Sequence, residues 1–199
     1  MKKLFFIAAM MVATLSANAQ NEVGQWSIKP MAGVNLATMT KADVSKMRVG
    51  LAAGAEFAVG AAENFEISFG ALYSMQGVKQ KFLGEDITFK LDYINIPVLA
   101  NYYVAPGFAI KAGVQPGFNV YKKAKVAGES ADIDGVKGFA LSVPVGLSYE
   151  FSNVVIDARY NWGLTKATDG DSKHSFFTIT LGYKLPLYSN WEIKYKPSS

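Results

Sequence analysis

The chain has 199 residues, no cysteine, and 20 basic against 16 acidic residues, for a formal charge of +4. Without thiols it can carry neither a disulfide framework nor a thiolate metal site, and the near-balanced charge argues against a nucleic-acid binder. The length fits a single domain.

The first element is a targeting segment. In MKKLFFIAAMMVATLSANAQ, Lys2 and Lys3 form a positive start, Leu4 to Leu15 an apolar stretch, and Ala17-Asn18-Ala19 a small-residue cleavage site. The apolar stretch falls short of the roughly 20 residues a spanning helix needs. A signal peptide over 1–19 is therefore expected. Its loss removes two lysines and no acid, leaving 18 basic against 16 acidic residues, or +2. Beyond it no apolar run is long enough for a membrane helix. If the remaining chain meets a membrane it must do so as a closed barrel, because lipid cannot satisfy an open sheet edge.

Alternation with period two runs through the rest of the sequence. Eight strands are predicted, near 26–37, 49–59, 65–76, 91–104, 108–120, 138–151, 154–165 and 175–187. In 138–151, Phe139, Leu141, Val143, Val145, Leu147, Tyr149 and Phe151 make one face, and Gly138, Ala140, Ser142, Gly146, Ser148 and Glu150 the other. In 108–120, Phe108, Ile110, Val114 and Phe118 oppose Lys111, Gly113, Gln115, Gly117 and Asn119.

The connectors alternate in length. Residues 60–64, 105–107 and 152–153 are short, while polar stretches near 38–48, 77–90, 121–137 and 166–174 read as long loops. Short turns at one end and long loops at the other mark an outer-membrane barrel. The fold expected is an all-β, eight-stranded antiparallel up-and-down transmembrane barrel over residues 20–188, with 189–199 as a C-terminal extension.

Turn length fixes the faces. A two-residue turn at Ser152-Asn153 pairs Phe151 with Val154 and Tyr149 with Ile156, and paired residues share a face. Asp157 and Arg159 then turn inward beside Glu150. Across all strands the inward charges are Lys29, Lys111, Arg159 and Lys184 against Glu56, Glu66, Glu150 and Asp157. Eight strands leave an interior that side chains just fill, so a polar plug without an open pore is expected. Aromatic girdles are expected on the lipid face. Phe65, Tyr102, Phe108, Tyr149, Phe151 and Tyr183 would lie at the short-turn rim, and Tyr73, Phe118, Phe139, Trp162 and Phe177 at the other. Pro30, Pro97, Pro116, Pro144 and Pro186 fall inside strands, where each removes a ladder donor, so bulges are expected at them.

The ordered segments GVNLATM (33–39), GLAAGAEFAV with FEISFGALYSMQGVK (50–79), LDYINIPVLANYYV (91–104), GVQPGFNV (113–120), VGLSYEF with VVIDARYNWGLT (145–165) and FFTITLGYKL (176–185) resemble the PorT-like, or porin-family, outer-membrane β-barrel domains. The resemblance spans nearly all of the chain after the signal. It implies an outer-membrane location and an eight-strand barrel, and no common catalytic residue. Residues 180–187, TLGYKLPL, also look like the signal read by the barrel assembly machinery, although here the chain continues to Ser199.

The search for chemistry yields little. His174 is the single histidine, in a polar loop, which excludes a catalytic triad or a multi-histidine metal site. Asp132, Asp134 and Gly135, and likewise Asp169 and Asp171, lack the full spacing of a calcium loop. Lys122, Lys123 and Lys125 could meet lipopolysaccharide, though a solvated loop face is the plainer reading. No cofactor is expected and no enzyme activity. The leading expectation is a monomeric structural or interaction protein in contact with outer-membrane lipid, with an unidentified partner at its long loops. Transport, through a narrow channel or a conduit for small molecules, stays open, as does a soluble secreted barrel or sandwich.

Overall fold

The computed structural model describes residues 23–39, 45–46, 48–82, 85–126, 129–132, 138–165 and 174–187. The expected signal peptide (1–19), the extension at 189–199, and Asp134, Gly135, Asp169 and Asp171 lie outside them.

The described elements are all strands: β1 (Trp26–Met39), β2 (Ser45–Lys46), β3 (Arg48–Ala62), β4 (Phe65–Phe82), β5 (Glu85–Asn95), β6 (Val98–Ala105), β7 (Phe108–Val126), β8 (Glu129–Asp132), β9 (Phe139–Phe151), β10 (Val154–Gly163), β11 (His174–Tyr183) and β12 (Leu185–Leu187). They build eight staves, with β5 and β6 forming one and β11 and β12 another. Each stave pairs antiparallel with its neighbour, and β1 pairs with both β11 and β12. The sheet therefore closes on itself as an eight-stranded antiparallel barrel without an exposed edge.

What folds this sequence is an inverted pattern of burial. Outward positions are apolar and open: Val145 is 51 % exposed, Ile156 52 % and Leu181 58 %. Inward positions are polar and closed: Asn101 is 0 % exposed and Asp157 2 %. Such a contiguous apolar belt would be a severe liability in water and is the natural surface in lipid. The ten residues of β10 are enough to cross the hydrocarbon when tilted.

At the β9–β10 turn, Phe151 pairs with Val154 and Tyr149 with Ile156, the register read from the turn length. Ser152 takes a left-handed conformation (φ 56°). Asn153 Nδ2 donates to the Lys184 carbonyl at 2.7 Å, and the Lys184 amide returns a bond to the Asn153 carbonyl at 2.7 Å. The turn is thus bound to the last stave.

Four expectations need correction. Bulges do not sit at the prolines; they fall at Gly60/Ala62, Asp92/Tyr93 and Tyr103/Ala105. Pro30, Pro116 and Pro186 keep unshifted registers opposite Ala55, Leu141 and Ser27, and Pro144 keeps its own opposite Asn161. A proline in a closed sheet forfeits one ladder bond, and the unshifted registers show that this loss does not displace the strand. Pro97 lies in the break between β5 and β6, where its carbonyl still accepts from the Gly70 amide at 3.1 Å.

The second correction is at the β3–β4 turn. Val59 pairs with Ile67, two residues from the register a five-residue turn would give, because β3 runs on through a bulge to Ala62. Parity is unchanged. Third, residues 77–82, 85–90, 121–126 and 129–132 are strand: β4 and β5 pair out to Phe82 and Glu85, and β7 pairs with β8 out to Val126 and Glu129. Along β4 the positions in step with Phe69, Ala71, Tyr73 and Met75 become Gly77, Lys79 and Lys81, so the apolar signature of a lipid-facing stave ends before the pairing does. Finally, His174 opens β11 opposite Met39, so its backbone is strand and not loop.

Candidate functional site

The lumen holds the chemistry of this chain. Parity alone carries its polar side chains there: Lys29 on β1, Glu56 on β3, Glu66 on β4, Lys111 on β7, Glu150 on β9, Asp157 and Arg159 on β10, and Lys184 between β11 and β12. These eight fall into two groups at different depths.

Nearest the short turns, Lys184 Nζ lies 2.9 Å from Glu66 Oε2 and 3.1 Å from Glu150 Oε2. Tyr103, from β6, joins them: its hydroxyl lies 3.2 Å from Lys184 Nζ and 3.3 Å from Glu150 Oε2. Asn101 Nδ2 donates to Glu66 Oε1 at 3.2 Å and to Ser68 Oγ at 3.0 Å.

One level deeper, Lys29 Nζ lies 3.0 Å from Glu56 Oε2, and Lys111 Nζ 2.6 Å from Asp157 Oδ2. Arg159 joins the two acids. Its Nη1 pairs with Glu56, while Nε and Nη2 both donate to Asp157, the latter at 3.0 Å. The guanidinium fork suits this double role, since its planar donors can face two carboxylates at once. Both Glu56 oxygens thus meet a cation within ion-pair distance.

Each level is unbalanced alone. The deeper one has three cations and two anions, and the lower one a single cation and two anions. Only the pair of levels is neutral. In a low-dielectric wall an excess charge is costly, so opposite excesses at adjacent levels stabilise one another.

Toward the loop end the lumen changes character. Thr178 Oγ1 donates to Asn35 Oδ1 at 2.8 Å, Asn35 Nδ2 donates to Ser74 Oγ at 2.7 Å, and Asn161 Nδ2 donates to Thr178 Oγ1 at 3.1 Å. Counting charges along the sequence misses this neutral level. Its members stand at inward parity on strands already assigned, and that parity was the signal available. Among the described residues no three His, Asp or Glu side chains converge as metal ligands.

On the outer wall Tyr73, Tyr102, Phe118, Phe139, Phe151, Trp162 and Tyr183 are exposed, and Phe65, Phe108, Tyr149 and Phe177 half-buried. Phe118 and Phe139 pack edge to face, with ring centroids 5.6 Å apart. Sequence reasoning left out Trp26 and Phe57, which flank Phe69 at 6.3 Å and 6.0 Å. Lys122 and Lys123 are half-buried, with Lys123 Nζ lying 5.4 Å from the Tyr121 ring centre.

Comparison with known proteins gives one family and several folds. The family model described as outer membrane protein beta-barrel domain matches residues 18–169, more than half of the chain. The structure of Ail, the attachment invasion locus protein of Yersinia pestis, in complex with the heparin analogue sucrose octasulfate, is similar at a TM-score of 0.53 and 17 % identity, over 82 % of this chain and 100 % of that one. The outer membrane protein OprG of Pseudomonas aeruginosa is similar at a TM-score of 0.50 and 14 % identity, over 85 % and 99 %. These likenesses speak for the fold alone. No curated protein matches the sequence.

Proposed function

This chain belongs to the outer membrane protein beta-barrel domain family, and from that premise we propose that it is a non-enzymatic barrel with a structural or interaction role. The observation carrying this reading is the cross-lumen bonding of Lys29, Glu56, Lys111, Asp157 and Arg159, which ties β1, β3, β7 and β10 together. Side chains so committed to one another are poorly placed to move a solute. Two lumen recesses, one toward the loops around Asn95 and Gln115 and one toward the turns around Lys29 and Lys184, share no lining residue. The barrel then acts as a rigid base presenting its loop end to the outside.

In this reading the signal peptide directs export, the segment 180–187 is read by the assembly machinery, and the mature chain is a monomer among outer-membrane lipid. Planar-bilayer recording of the purified barrel is expected to show no resolved conductance steps. Reproducible steps that persist in the wild-type protein would replace this reading with the channel alternative.

A further inference from the structure

The outer ends of β4, β5 and β7 reverse the pattern that runs through the rest of the wall. As far as the loop-side girdle, Tyr73, Ile94 and Phe118 are exposed on the outward face. The bulge at Asp92/Tyr93 then gives β7 an extra residue, Val120, without a partner on β5. Tyr121 is therefore outward too, 40 % exposed, although it stands three residues from Phe118. Beyond it the parity of β7 is switched. Lys123 and Lys125 join the outward face, whereas Lys122 pairs with Leu91, which is 2 % exposed, on the inward one.

Two cross-strand rows follow on the outward face. Gly77, Lys90 and Lys123 make the first, and Lys79, Thr88 and Lys125 the second, which continues to Lys46 on β2. Lysine thus stands opposite lysine twice, at Lys90–Lys123 and at Lys46–Lys79. The same face holds Lys81 opposite Asp86, and Asp132 opposite Lys123. Asp92, at its lower border, is only 7 % exposed and accepts from the Tyr73 hydroxyl at 2.7 Å. Among the described residues six lysine positions therefore share this face with three aspartates. On the opposite face Val78, Ile87 and Phe89 keep step with Leu91. Apolar in and charged out is the pattern of a sheet standing outside hydrocarbon. Like charges directly opposite one another destabilise a strand pair, so pairing alone does not account for the lysines.

We propose that this face is a docking surface for the phosphate groups of outer-leaflet lipopolysaccharide, with Lys90 and Lys123 as its principal positions. Charge complementarity names the ligand chemistry, since an ammonium serves phosphate as a compact point charge. Height and direction name the lipid. The first row lies two residues beyond Asp92 and Tyr121, about 5 Å further along the barrel axis, on the side turned to the leaflet. Lys123 Nζ lies 5.4 Å from the Tyr121 ring centre, which places the ammonium directly at the girdle. The proposal rests on the membrane-barrel reading and is independent of whether the lumen is closed.

The test titrates the full mature barrel in neutral detergent with lipopolysaccharide, with the same lipid stripped of its phosphates, and with dextran sulfate, and reads binding by thermophoresis. Lipopolysaccharide is expected to bind, and the dephosphorylated lipid at least about ten-fold more weakly. Replacing both principal lysines, Lys90→Gln with Lys123→Gln, should weaken lipopolysaccharide binding by about ten-fold or more. Lys122→Gln removes the same charge one residue away on the opposite face and should leave binding unchanged. Without lipid the double variant should unfold at the wild-type urea midpoint or above it, because a like-charge pair has gone. A lower midpoint would assign the two lysines to folding and overturn the proposal. Equal losses in Lys122→Gln and the double variant, or equal binding with and without phosphates, would overturn it as well. Tighter binding of dextran sulfate than of lipopolysaccharide would put a soluble polyanion in the lipid's place. Recovery of the chain in the aqueous fraction without detergent would instead remove the membrane reading beneath it.

Discussion

Two levels of one lumen are held by different means. Lys29, Glu56, Lys111, Asp157 and Arg159 are joined by charge, whereas Asn35, Ser74, Asn161 and Thr178, closer to the loops, are joined by neutral amides and hydroxyls. Both levels are buried within the same wall. They should nonetheless fail differently. Removing one member of an ionic group leaves its partners charged and dry, while removing a neutral member leaves a dipole without its bond. The first loss is several times larger than the second.

The sharpest way to break this contrast is Arg159→Leu. It leaves Glu56 with Lys29, and Asp157 with Lys111 and, at 3.9 Å, Lys29, and strips both acids of their guanidinium contacts. A loss of about 3–5 kcal/mol is expected, measured by urea unfolding of the detergent-solubilised barrel and visible as lost heat-modifiability. An unchanged midpoint would show that the deeper level contributes nothing net.

Gly146→Ala comes next. Gly146 pairs with Arg159 across β9–β10, and an added Cβ there would run into the Ala158 carbonyl oxygen. The colliding atom is backbone, so the strands themselves must shift, at about 1–3 kcal/mol. A stable Gly146→Ala barrel that unfolds at the wild-type midpoint would contradict this account of the close approach beneath Arg159.

The smallest effect is expected in the neutral level. Asn35→Ala removes the bonds to Ser74 and Thr178 and should cost about 1–2 kcal/mol in the same urea assay. If Asn35→Ala proved as damaging as Arg159→Leu, the distinction between the two levels would collapse.

Much of this was legible in the sequence because strand parity is a local property. A two-residue turn at Ser152-Asn153 is enough to send Asp157 and Arg159 to the same side as Glu150, and the outward aromatics follow. Which cation meets which acid was not legible. Lys111 and Asp157 are 46 residues apart, and Lys184 and Glu66 are 118 apart, so their meeting depends on barrel closure and stagger rather than on any pattern within a strand. Registers failed where an extra residue entered a strand, as between Gly60 and Ala62. The outer hairpins failed for a chemical reason: along β4 the parity that carries Phe69, Ala71, Tyr73 and Met75 passes to Gly77, Lys79 and Lys81, so the apolar alternation of the lipid-facing stave stops while the pairing goes on.

Lys184 belongs to the stave that seals the barrel, and the acids it meets, Glu66 and Glu150, belong to staves made earlier in the chain. A barrel lacking only its final stave therefore has its lower acids in place and their cation still elsewhere. Those carboxylates must keep water around them until the seam shuts, which holds the turn end of an unfinished barrel wet. Sealing the wall and drying the turn end become a single step, in which the arrival of one ammonium group separates a half-built barrel from a finished one.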